Sequence, residues 1–292
     1  MRKTIAMTSL AALIAAGFAG LSGADTATQA SSGLTPAILA DIEAGQPMRM
    51  EYQIKASAWV LFLPITGKAN FAVNMNEKTY SIKSKVKTTG LADILVNYDL
   101  DVAASGYTTP TGLNTYAYVS QNKDGKKNRR VDVKLLKDSF EMTATPRFGN
   151  LGDPAATTEQ VLDAKDPVTA LISFALEPRA EGADPCGGPL KIFDGRQLTH
   201  LHLKNEGKKN IKSEAWSGEA WECHITMDKV AGYKPGEVNK DTLTGIEGPL
   251  RMWLAPLPNG ASVPVRIEAD TEDIGKVTLQ AAKLTFTPIE TN

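Results

Sequence analysis

The sequence predicts a mainly β protein: a single curled antiparallel sheet, or an open, spiral β-barrel, with one principal α-helix near the middle of the chain. Three observations carry this reading. After Pro47 and up to Pro146, and again from Leu190 onward, apolar and polar residues alternate with period two, so each segment has one dry face and one wet face. The connections are short and polar or glycine-bearing, as antiparallel neighbours need. Between the two strand-rich halves lies one segment with helical spacing.

The first element is a leader. Arg2 and Lys3 precede an apolar run from Ile5 to Leu21, which ends in the small residues Ser22, Gly23 and Ala24. This pattern reads as a secretory signal peptide over residues 1–24, cleaved after Ala24 or, alternatively, after Ala30. No cysteine follows either site, so no lipid anchor is expected. An uncut membrane helix is the rival reading, but Gly and Ser interrupt a run that is already short for a bilayer. Residues 25–47 then form a lead-in around LTPAILADIEAG, and 48–292 form one β-barrel-like domain.

Strand alternation is plain in SIKSKVKT, where Ile82 and Val86 oppose Lys83, Lys85 and Lys87, and in NYDLDVA, RVDVKL and SFEMTA. Asn76-Glu77-Lys78, Thr109 to Gly112, Asp124-Gly125 and Lys137-Asp138 supply the turns. Asp166 and Pro167 then open VTALISFALE as N-cap and first helical residue. Val168, Leu171, Ile172, Ala175 and Leu176 recur at helical spacing, and Pro178 ends a helix of about 166–177. Such a helix packs its apolar stripe over, or into, the sheet. Strands resume in LKIF, RQLTHLHLK, AWECHITM, PLRMWLAP, SVPVRIEAD and GKVTLQAAKLTF. Asp194-Gly195, Asn205 to Lys209 and Asp270 to Gly275 punctuate them.

The formal charge of the 292 residues is −1, and without Arg2 and Lys3 there remain 30 basic against 33 acidic residues. A nucleic-acid binder would show an overall basic balance, so nucleic acid is excluded as a partner. No apolar run beyond the leader is long enough to span a bilayer. Two cysteines, Cys186 and Cys223, remain in a chain addressed to an oxidising compartment, where an even count favours a disulfide. The competing reading, two zinc ligands, lacks a Cys-x-x-Cys spacing.

Candidate sites are few. His200 and His202 lie two apart on one strand face, a spacing that can chelate zinc, and His224 shares its face with Glu222 and Thr226. Partly buried strand histidines without metal are commoner, so no metal and no cofactor are expected. Ala58 to Ile65 is the longest apolar string after the leader, and it reads as a strand covered on both faces. Its alternative is an exposed wall in which Trp59, Val60, Leu61, Phe62 and Leu63 contact an acyl chain or a protein partner. Lys123, Lys126, Lys127, Arg129 and Arg130 cluster around one turn, and Lys204, Lys208, Lys209 and Lys212 around another. Each reads as a solvated hairpin tip or as a contact for an anionic envelope surface. No serine elbow, Ser-x-x-Lys, His-Glu-x-x-His or phosphate-cradling loop occurs, so no catalytic residue is assigned.

Several segments together resemble a known family. They are KTTGL from Lys87, KKNRRVDV from Lys126, DPVTALI from Asp166, FDGR from Phe193, AGY from Ala231, RMWLA from Arg251, VPVRIE from Val263 and IGKVTLQA from Ile274. With Cys186 and Cys223 they resemble the DUF3108 family of exported, periplasmic Gram-negative bacterial proteins. The resemblance implies a β-rich, curled or barrel-like single domain with no enzyme activity to carry over, and it supports pairing of the two cysteines. The expected function is a non-enzymatic binding or scaffolding protein of the cell envelope, holding a lipid-like or glycan ligand or an envelope protein. The alternatives are a hydrolase or metal-dependent enzyme acting on envelope polymers, and a partner-binding protein using an exposed apolar strand.

Overall fold

A computed structural model describes residues 42, 45–60, 63–89, 98–124, 128–180, 182–235, 246–257, 261–272 and 275–290, the side chains of 59, 60, 63 and 64 excepted. The leader therefore lies outside the described residues. Seven strands come first: β1 (Met48–Val60), β2 (Leu63–Met75), β3 (Thr79–Thr89), β4 (Asp99–Thr109), β5 (Gly112–Asn122), β6 (Arg130–Leu135) and β7 (Phe140–Thr145). Two helices follow, α1 (Thr158–Leu162) and α2 (Pro167–Leu176). Six further strands complete the chain: β8 (Leu190–Phe193), β9 (Leu198–Lys212), β10 (Ser217–Ala231), β11 (Ile246–Pro256), β12 (Ser262–Thr271) and β13 (Gly275–Pro288).

All thirteen strands form one antiparallel sheet in the order β7-β6-β5-β4-β3-β2-β1-β13-β12-β11-β10-β9-β8. Within β1–β7 and within β8–β13 successive strands pair, and β13 returns to pair with β1 from Met48↔Pro288 to Ser57↔Thr278. Two meanders are thus joined at the chain ends, and the sheet is left open between β7 and β8. These edge strands are short, six and four residues, which limits the unpaired backbone each presents.

The inner face is apolar because period two puts every second side chain there. Tyr52, Phe71, Val73 and Ile82 are almost completely buried. Tyr52 reaches across the interior to donate to the carbonyl of Pro264 on β12. Helix α2 occupies this concave side and touches β3, β4 and β5 on one flank and β8 and β12 on the other. Every residue of α2 except Leu171 is buried, as expected of a helix apolar on nearly all sides. Val168, Ile172, Phe174 and Leu176 each contribute about 1.5–3 kcal/mol through burial.

Three sequence expectations change. Ala58 to Ile65 is not one strand: β1 ends at Val60, β2 begins at Leu63, and these two residues pair, so the apolar string is the end of a hairpin. Asn205 to Lys209 does not end a strand either. β9 runs through it, and Asn205↔Cys223 followed by Lys208↔Trp221 marks a bulge, with Gly207 at φ +94° and its N–H on Asn205 Oδ1 at 2.8 Å. The turn comes later, where Ser213 and Trp216 exchange hydrogen bonds. Helix α1 was not expected, although Thr157 and Gln160 form a capping box whose Thr-x-x-Gln spacing is visible in the chain.

Candidate functional site

The start of α2 gathers a buried, densely hydrogen-bonded polar group in the interior. Asp166, 4% exposed, accepts the N–H groups of Val168 at 3.1 Å and Thr169 at 2.9 Å on one oxygen. Its other oxygen accepts the Thr115 hydroxyl at 2.7 Å, so the cap also ties the helix to β5. Tyr80 and Thr169 share a hydrogen bond of 2.7 Å. Ser173 Oγ accepts Leu113 N–H at 2.9 Å and Lys165 Nζ at 2.9 Å. Burial raises the pKa of Asp166 and lowers that of Lys165.

A serine beside a lysine of lowered pKa is the pairing that an activated hydroxyl would use. No local motif announces it, because Lys165 and Ser173 are eight residues apart across a helix start. The geometry makes it a structural pin. Ser173 is 1% exposed, and a Cβ at Gly112 would stand 2.5 Å from its oxygen, so β5 closes the approach a substrate would need.

Segments that looked separate in sequence meet where the sheet is open. Phe140 of β7 and Phe193 of β8 pack edge-on at 5.9 Å. Gly195, at φ +96° in the FDGR turn, lies so close over Val131 of β6 that any side chain there would collide with it. Arg129 and Arg196 both lie over the ring of Phe148, at 4.6 and 5.7 Å, and Arg196 also donates to Asn150 at 2.9 Å. Gly232 of the AGY segment donates to Pro154 O at 2.9 Å, and Asp153 donates to Tyr233 O at 3.0 Å. The two edges therefore approach through turns and side chains without sharing a ladder.

Cys186, after α2, and Cys223, on the inner face of β10, form a disulfide with Cα atoms 5.8 Å apart. Phe174, Leu201, Ile225 and Met252 surround it in a second apolar cluster. The histidines stand on the outer face, with His202 opposite Thr226 and His224 opposite Lys204. Their rings turn to different carboxylates: His202 Nε2 to Asp228 at 2.7 Å, His224 Nε2 to Glu222 at 3.0 Å. Burial first, and then Lys191, lower the pKa of His200. Among the described residues no three His, Cys, Asp or Glu are arranged to hold a metal ion.

The basic turn residues are engaged where they are described. Lys123 pairs with Asp101, Arg130 with Asp132 at 2.6 Å, and Arg129 donates to Pro146 O at 2.9 Å; Lys126 and Lys127 lie outside the described residues. Leu61 and Phe62 also lie outside them, while Trp59, Val60 and Leu63 are placed by backbone pairing at the end of the β1–β2 hairpin. No described helix is long and apolar enough to cross a membrane.

A concentration of charge that the sequence analysis did not single out appears on the outside of β1–β3. These strands carry Arg49, Lys55, Lys68, Lys83, Lys85 and Lys87 against one acid, Glu51. Lys55 pairs with Lys68 across the β1–β2 ladder and Lys68 with Lys87 across β2–β3, so three lysines stand abreast. Side-by-side like charges disfavour the sheet. Lys55 is offset by Glu214, and Lys87 by Asp99 at 3.4 Å. Lys68 has no ion-pair partner among the described residues.

The fold and its contents define a class: an open, curled antiparallel β-sheet protein with a helix packed inside it. The chain belongs to the family described as "Protein of unknown function (DUF3108)", which matches residues 50–282. No curated protein matches it. Among solved structures, a β-barrel-like protein of the DUF1849 domain family from Brucella abortus is 11% identical, covering 84% of this chain and 98% of its own, with a TM-score of 0.40. A DUF1329 family protein from Desulfovibrio piger is 8% identical over 86% and 90% of the two chains, with a TM-score of 0.26.

Proposed function

We propose that this protein is a non-enzymatic binding or scaffolding protein of the cell envelope, exported to the periplasm, and that it works through the outside of its sheet. The observation that carries this reading is the burial of α2 inside the curl. A helix enclosed on nearly all sides makes the concave face a packed core, which favours contact at the outer surface over a lipid-like or glycan ligand held within. The leader pattern and the disulfide support the address. The reading is tested by native mass spectrometry of protein purified from its own periplasm. The expected spectrum is the bare polypeptide, shortened at Ala24 or Ala30. A stoichiometric internal lipid or glycan would overturn the surface reading, and bound zinc lost in His200→Ala or His202→Ala would favour the metal-dependent enzyme.

A further inference from the structure

We infer that the outer face of β4 and β5 binds an acidic oligosaccharide on a platform made by Tyr107 and Tyr116. The inference rests on the surface-binding reading above and names the site and the chemistry of its ligand. Tyr107, at 54%, is the most exposed large apolar side chain among the described residues. The ring of Tyr116 meets it edge-on at 6.1 Å, and Lys134 of β6 stands 5.7 Å from the centre of the Tyr116 ring. Counting in twos from buried Tyr118 would turn Tyr116 inward. The ladder shifts instead: Ser105 pairs with Ala117 and Gly106 with Thr115, so Tyr116 is the extra residue of a bulge and its ring comes out beside Tyr107. Gly106 permits this, because a Cβ there would collide with Asn114 O and stand 2.8 Å from Tyr116 N. Among the described residues no other register shift occurs from β1 to β7. The one irregularity of a regular meander is spent on bringing a second aromatic ring to the surface, as bulges that re-aim a side chain at a site do.

The surroundings fix the chemistry. A sugar ring has an apolar face of C–H bonds and a rim of hydroxyls, so it stacks on an exposed tyrosine and hydrogen-bonds around it. Thr79 and Asn114 pair with Tyr107 from its two sides, and Ser81 pairs with Ser105 in the next outer row. Ala103 and Ala117 keep the floor beside the rings low. Two cations flank it. Lys134 reaches Glu141 only at 4.0 Å, and Lys83, opposite Ala103, has no ion-pair partner among the described residues. Lys83 lies four residues from the Tyr107 row, about 13 Å along the strand, so the site fits a chain of sugars rather than one. The two ammonium groups select a sugar that carries a carboxylate or a phosphate. A protein partner is disfavoured by size: it needs about 1,200–2,000 Å² with a fully buried apolar centre. Here two rings stand among hydroxyls, an amide and lysines, and the other strongly exposed large apolar residues described, Leu151 and Ile289, lie outside β3–β6.

The test is binding of the purified protein to an array of immobilised oligosaccharides of three kinds: uronic-acid-bearing, phosphorylated and neutral. The expected result is retention on acidic members only, weakened by salt, with the carboxylated and phosphorylated arms showing which acid is preferred. Tyr107→Ala and Tyr116→Ala should each weaken it at least tenfold, whereas Tyr107→Phe, which keeps the ring face, should retain most of it. Lys83→Gln/Lys134→Gln should bring the acidic members down to the neutral ones, and Lys191→Gln on β8 should change nothing. Circular dichroism establishes that each variant is folded. Failure of the wild-type protein to bind any member overturns the inference, as does undiminished binding by the Tyr107→Ala and Tyr116→Ala proteins. Equal retention of neutral and acidic members overturns the acidic assignment. An empty array with a photoreactive side chain at position 107 capturing a protein in the periplasm would replace the glycan by a protein partner. An empty array together with a bare polypeptide by native mass spectrometry would sink this site but not the surface-binding reading. An internal ligand would sink the reading itself.

Discussion

The two meanders that make up the sheet are built differently. From β1 to β7 the ladders keep register with a single shift, at Ser105/Gly106. From β8 to β13 there are four: Trp221/Cys223, Lys229/Ala231, Glu247/Arg251 and Trp253/Leu254. A bulge adds local bend and twist to its strand, so the irregular C-terminal ladders are where such distortion is concentrated. The irregular half also carries the disulfide, and its outer carboxylates Glu222 and Glu268 are buried under cations. The regular half holds α2 by hydrogen bonds from β3 and β5. Regular pairing needs little beyond its own ladder, whereas bulged pairing is accompanied by a covalent tie and buried ion pairs.

Four changes would break or sharpen that contrast. The largest effect is expected from Cys186→Ser/Cys223→Ser. Opening a link across 37 residues should cost about 4 kcal/mol in urea unfolding, and hydrogen exchange should rise first in β9 and β10. Equal loss of protection in β2 and β3 would show that the halves do not differ in this way. Next is Asp166→Ala, which removes the cap and leaves Thr115 without its acceptor, at about 2–3 kcal/mol. Asp166→Asn keeps one oxygen to cap Val168 and Thr169 and presents an amide that Thr115 would have to accept from rather than donate to, and it should recover most of the cap's share of that stability. If it does not, the charge matters rather than the cap.

The third is pH dependence. Burial alone would raise Glu268, but Lys276 and Arg266 outweigh it and hold its pKa below the usual 4.5. A carboxylate with a lowered folded pKa contributes stability that is complete above the unfolded value and is lost as pH falls through the folded one. Acid below about pH 4.5 should therefore loosen β12 and β13. Glu268→Gln should flatten the slope of stability against pH in that window, and an unchanged slope would assign the acid sensitivity elsewhere. The smallest effect is from Lys68→Thr, which removes the middle charge of the lysine row and should stabilise the sheet by about 0.5 kcal/mol in urea unfolding. A loss of stability would mean that the row is a structural feature of the regular half.

The same contrast explains what could be read in advance. Alternation located β3, β6 and β7, and β4 up to its bulge at Ser105/Gly106, because in a ladder without bulges the face of a residue is given by counting in twos. It failed at Asn205 to Lys209, where Asn and Gly look like a turn but form a bulge, since the two differ only in what lies across the strand. Ala58 to Ile65 failed for a related reason: eight apolar residues without turn chemistry give no sign of where the strand reverses. The interior pin was half visible. Asp166-Pro167 is a local cap signal, but Thr115, which donates to Asp166, and Tyr80, which bonds Thr169, come from strands 51 and 89 residues earlier than those partners.

By itself the sequence determined the strand-rich class, the start and end of α2, and the pair of cysteines available to bond. Those signals reside in neighbouring residues or in a choice of one. The tertiary structure alone decided that β13 returns to β1, that the FDGR turn lies on β6, and that Lys55, Lys68 and Lys87 stand in one row. The physical reason is register. Residues 13 and 19 positions apart become neighbours only when two ladders align, and that alignment is set by the packing of the whole inner face.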